Sequence, residues 1–177
     1  MSKRITLGSG KLYCIPFADT LPEVSTICVE QNLLGHIKGG ATLEYAPTFY
    51  EAKDDLGYVV KTIVTEETAT LKSGILTFDG TTLNKLCDTG RVTEDTQKKT
   101  RTLKIGGIGN AQGNKYVICF HHEDAVDGDI WVLIVGQNQA GFTLAFAKDA
   151  ETVIDAEFKC LAQDSDGTLI QYIEETK

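Results

Sequence analysis

The chain has 177 residues, enough for one domain with a full apolar core, and its 42% hydrophobic content and mean hydropathy of −0.11 are those of an ordinary globular protein. No apolar run approaches the roughly 18 residues of a membrane-spanning helix, and the basic start Met1-Ser2-Lys3-Arg4 meets no apolar stretch before Gly8 and Gly10, so neither a membrane role nor a secretory leader is expected. A net charge of −8, from 25 acidic and 17 basic residues, argues against a general nucleic-acid binder, which displaces phosphate counterions with Lys and Arg.

Strand-like runs recur along the chain with turn signals between them. Residues 11–17 form the first. Residues 41–49 alternate clearly, with Leu43, Tyr45 and Phe49 on a core side and Thr42, Glu44 and Thr48 on a solvated one. A long Thr/Val/Ile-rich stretch covers 59–71, followed by 75–78. Further strands are expected at 115–121, 129–135, 142–147, 153–161 and 168–173. Asp79-Gly80, Gly109-Asn110, Gly113-Asn114, Asp127-Gly128 and Asp166-Gly167 mark the turns. The series predicts a mainly β fold of consecutive antiparallel hairpins, a β-sandwich or partial barrel.

One short flanking α-helix is expected after Thr81 or Thr82, with Leu83, Leu86 and Cys87 on its apolar face and Gly90 ending it. Residues 27–37 read as a helical turn or an irregular connection, and Gly35, Gly39 and Gly40 favour the latter. Residues 1–10 suggest an N-terminal arm, 46–58 a long polar loop between the two best strands, 92–101 a charged linker, and 163–177 a C-terminal hairpin or strand. Long loops in compact domains are enriched for binding roles, which singles out Tyr50, Glu51, Lys53, Asp54, Asp55 and Tyr58.

Catalytic and metal constellations are weak. The five cysteines, Cys14, Cys28, Cys87, Cys119 and Cys160, contain no CxxC pair, and their odd count and wide spacing suit free thiols in a reducing compartment. The glycine cluster from Gly106 to Gly113 carries Gln112 where a dinucleotide loop needs glycine, and a strand rather than a helix follows. His121 and His122 would point to opposite faces of a strand, which prevents both from binding one ion. Asp164-Ser165-Asp166-Gly167 starts like a calcium loop but has Leu169 at the sixth position, where glycine is required, and reads as a hairpin turn. No GxSxG elbow occurs. No catalytic residue, cofactor or metal is expected.

Three blocks resemble a known family. The stretch from Asn32 through Leu34-Gly35-His36-Ile37-Lys38-Gly39-Gly40 to Tyr45 is similar to the early block of major tail proteins of long-tailed (siphovirus-type) bacteriophages of Gram-positive bacteria. Thr65 to Ile75 and the short helix after it resemble their next block. Asp127 to Phe142 and Ile154 to Phe158 resemble their C-terminal block. The resemblance implies a structural virion protein whose homohexameric rings join their sheets into an inner barrel and stack into a tail tube, the conduit for DNA delivery.

It further implies that the long loop serves contacts within and between rings. Partners would be further copies, the tape measure protein, the tail terminator and the distal tail or baseplate proteins. Double-stranded DNA would pass through without specific binding. The location would be the virion tail, assembled in the host cytoplasm. Under that reading Thr42, Glu44, Thr48, Thr62, Glu66, Thr68 and Thr70 are candidates to face the lumen, where Thr and Glu would let DNA slide. Two other readings remain open: the inner tube of a contractile tail or tail-like bacteriocin, and a β-sandwich binding module, for example for carbohydrate. The last would need exposed aromatics, whereas Trp131 lies in a run apolar on both faces.

Overall fold

A computed structural model describes residues 5–176. The protein is mainly β and antiparallel. Among the described residues there are ten strands: β1 (Lys11–Pro16), β2 (Leu33–Gly35), β3 (Ile37–Lys53), β4 (Val59–Ile75), β5 (Arg91–Asp95), β6 (Thr100–Lys104), β7 (Tyr116–His122), β8 (Ile130–Asn138), β9 (Ile154–Leu161) and β10 (Ile170–Glu174). Two short helices accompany them, α1 (Val24–Ile27) and α2 (Gly80–Lys85). The sheet runs β2-β1-β7-β8-β9-β4-β3, and its two ends are one stretch of chain, because only His36 separates β2 from β3. Leu12 pairs with Gly35, and Ile37 already pairs with Ile75. The sheet is therefore curled back on itself.

Alternation builds the core inside that curl. Ile154, Ala156, Phe158 and Cys160 of β9 point inward, where they meet Leu12, Cys14, Ile118, Ile134, Leu71 and Ile75. The opposite faces of β1, β7 and β8 are also buried: Tyr13, Val117, Cys119, Leu133 and Val135 form a second cluster with Ile27 of α1. These three strands are apolar on both faces because both faces are covered.

Asp79 caps α2, its Oδ1 accepting from the amides of Thr81 and Thr82 at 2.9 Å each. The cap thus precedes the Thr81 or Thr82 expected from sequence. Leu83 and Leu86 pack on the first cluster, and the Thr82 hydroxyl donates to Leu34 O at 3.2 Å. The ambiguous 27–37 stretch supplies a Cys28 cap, a 3-10 turn (Glu30–Asn32) and β2. A second helix, α1, ends on the first residue of that stretch, Ile27.

Four expectations need correction. Residues 92–101 are no linker but most of a hairpin, β5 paired with β6 from Arg91↔Lys104 to Asp95↔Thr100. Its turn lacks glycine: Asp95 Oδ1 accepts from the amides of Gln97 and Lys98, and Lys99 adopts φ 52. The 46–58 loop is strand except for residues 54–58, since β3 and β4 stay paired out to Lys53↔Val59. Residues 142–147 form no strand: they enter no ladder, and Phe142 and Leu144 pack on the core instead.

The turn at Asp164 does not make a hairpin either. Leu161 pairs with Val135 and Ile170 with Ile134, so β9 and β10 follow one another along the same edge of β8. Residues 162–169 are an excursion from one interrupted strand. Buried Gln163 holds its base, its Nε2 donating to Leu133 O and Leu169 O at 3.1 Å each. Of the expected arm, residues 1–4 lie outside the described residues. The rest runs without regular structure to Gly10, with Ile5 and Leu7 exposed.

Candidate assembly surface

β3 and β4 are each 17 residues long, yet β9 pairs with β4 only from Thr70 to Ile75. Beyond Thr70 the hairpin has no third strand and projects from the curled sheet. At about 3.4 Å per residue the unsupported part of β4 extends about 35 Å. Thr and β-branched residues favour the extended backbone here. The turn is tied by Asp54, whose Oδ1 accepts from the amides of Leu56 (3.1 Å) and Tyr58 (2.9 Å), while Gly57 takes φ 84. Cross-strand side-chain bonds stiffen the arm: Thr68 Oγ1 donates to Ala46 O at 3.2 Å, and the Tyr45 hydroxyl donates to Glu67.

The projecting part is polar only in places. Phe49, Tyr50, Leu56, Tyr58, Val60 and Ile63 are all exposed, and Val60 is 72% so. Clustered exposure of this kind on one element marks an interaction surface. Leu43, Tyr45 and Phe49, expected on the core side, do share a face with buried Leu71 and Ala69, but all three are exposed, Leu43 and Tyr45 at the outer margin of the core and Phe49 beyond it.

Tyr50, Glu51 and Lys53 therefore sit on strand β3, with Asp54, Asp55 and Tyr58 in the turn, and all six are exposed. Cross-strand register places Thr42, Glu44 and Thr48 on one face with Glu66, Thr68 and Thr70. Thr62 leaves that set. Thr48 stands opposite Glu66 but Phe49 stands opposite Val64, so Thr65 is an extra residue in β4. Its hydroxyl donates to Thr48 O at 3.2 Å. The bulge brings Thr62 opposite Glu51, on the face of Tyr45 and Phe49. Phe49, Val60 and Ile63 were missed as surface residues, and their signal was an apolar alternation longer than any core strand needs.

The remaining motifs resolve into structural roles. His121 stacks on Trp131, ring centroids 5.1 Å apart, and its Nε2 lies 2.8 Å from Asp129 Oδ2. His122 points the other way, its Nδ1 donating to Ser9 O at 2.7 Å. Trp131 is half-buried beneath His121 and forms no open aromatic platform. No group of three or more His, Cys, Asp or Glu residues is placed to hold a metal ion among the described residues. Gly106 and Gly107 adopt φ 115 and 86 ahead of a short 3-10 turn (Ile108–Asn110), and Asn110 Nδ2 donates to Gly106 O at 3.0 Å. No helix among the described residues is long and apolar enough to cross a membrane.

No protein-family profile matches the chain, and no curated protein matches it significantly.

Proposed function

We propose that this chain is a non-catalytic structural subunit that polymerises with copies of itself: the tail tube protein of a long-tailed bacteriophage, forming homohexameric rings that stack into the conduit for DNA. The observation that carries the reading is the hairpin of two 17-residue strands, which loses its third strand beyond Thr70 and carries exposed apolar side chains along its outer part. An isolated hairpin of this kind is marginal in water and gains by pairing with a neighbour. The blocks of sequence resemblance support this reading of the assembly; they fall on β2–β3, β4–α2 and β8–β9.

The lumen reading applies to the face of Thr42, Glu44, Thr48, Glu66, Thr68 and Thr70, without Thr62. Hydroxyls and carboxylates there, with a net charge of −8, suit a channel that does not grip the phosphate backbone. Neighbouring proteins at the tube ends would be the tape measure, terminator and distal tail proteins. Electron microscopy of the purified protein at high concentration tests the proposal. Rings or tubes of uniform diameter are expected; a persistent monomer would overturn it.

A further inference from the structure

Cys28 and Cys119 meet where α1 lies against the sheet. Cys28 is the residue that caps the C-terminal end of α1, and it is partly exposed. Cys119 lies mid-way along β7, fully buried in the second apolar cluster. Their Sγ atoms are 3.6 Å apart although the two positions are 91 residues apart in sequence, so tertiary packing alone makes the contact. The other thiols are placed elsewhere. Cys14 and Cys160 belong to the first cluster on the other side of the sheet, and Cys87 donates to Leu83 O at 3.1 Å.

We infer that Cys28 and Cys119 form a reversible intramolecular disulfide by exchange with a small-molecule disulfide, Cys28 attacking and Cys119 resolving. Closing the bond brings the sulfurs from 3.6 Å to about 2.05 Å, a displacement within reach of side-chain rotation at the end of a one-turn helix. The Cys28 thiolate attacks one sulfur of the reagent, breaking its S–S bond and releasing one thiol. Cys119 then loses its proton and attacks Cys28 Sγ, expelling the second thiol. The two electrons and two protons lost by the protein leave in those two thiols.

The order of attack follows from the surroundings. The hydrogen bond between the two sulfurs holds Cys28 below the usual thiol value. The same bond, and then burial, push Cys119 up. Cys28 is thus the accessible and better-ionised nucleophile. The product pins the segment that covers the second cluster onto a central strand, and it closes a long loop that restricts the unfolded chain. This inference does not rest on the tail-tube reading.

The test incubates the folded wild-type protein with oxidised glutathione, quenches with acid, and counts thiols after denaturation. The count should fall from the five thiols present to three, with a peptide map joining Cys28 to Cys119. Dithiothreitol should restore all five, and the oxidised form should melt at the higher temperature. C119S should retain one glutathione on Cys28, and C28S should leave Cys119 unmodified. A persistent count of five, an unresolved glutathione adduct on the wild type, or a link between any other pair would overturn the inference. The wild-type count and map decide without the variants.

Discussion

Arg101, on β6, forms an ion pair with Asp79, the residue that caps α2. Its Nε also donates to Glu94 at 2.6 Å, so one guanidinium joins both strands of the small hairpin to the start of the helix. Asp79→Ala removes the cap and this bridge together. We expect a loss of about 1 kcal/mol, the usual cost of a missing cap, read as a melting point lower by about 2–4 °C. Arg101→Ala should cost less, because the pair is solvent-exposed.

The same carboxylate predicts an acid limb. Bonds from the Thr81 hydroxyl, the Thr82 and Thr81 amides and Arg101 hold Asp79 well below the usual carboxylate range. A folded-state pKa below the unfolded value means stability is present above the ordinary value of 3.8 and drains as pH falls through and below it. Melting curves at about pH 7 and about pH 3 should therefore differ more for wild type than for Asp79→Asn, which keeps a cap oxygen but not the charge.

Gln163 anchors the excursion between β9 and β10 through Leu133 O and Leu169 O. Gln163→Met keeps the length of the side chain and removes both donors, leaving two backbone acceptors without them. The expected destabilisation is about 1–3 kcal/mol, measured by urea unfolding. Hydrogen exchange should rise along β10 and leave β9 protected, because β9 is also held by β4.

Replacing residues 49–65 by an Asn-Gly turn between Thr48 and Glu66, which are already paired, removes the outer hairpin and none of the buried core. The melting point should stay within about 3 °C of wild type, and ring or tube formation should disappear. Normal polymers from this variant would remove the hairpin from the assembly interface.

Legibility followed coverage. In β9 the alternation Ile154, Ala156, Phe158, Cys160 marked a half-buried strand directly, because packing lies against that face alone. In β3 the same kind of alternation at Leu43, Tyr45 and Phe49 showed only that these side chains share a face; it carried no information about whether anything covers it. The Thr65 bulge was invisible because Thr, Glu and Val suit either register. The β5–β6 hairpin was hidden by charge and by a turn in which Lys99 takes the conformation that glycine usually signals. Phe142 and Leu144 show the converse: an apolar period that enters no ladder makes packing, not a strand.

The unequal edges of the projecting hairpin carry a geometric consequence. β3 ends the strand path and has one open edge, while β4 opens its own edge only beyond Thr70. A contact that seats the β3 edge of one copy against the β4 edge of the next joins unlike surfaces, so it is head-to-tail and never satisfied by a two-fold dimer. Each addition leaves one donor edge and one acceptor edge unfilled. Growth along such a contact stops only when the last copy meets the first, and the rotation per copy alone then sets how many subunits a closed circle holds.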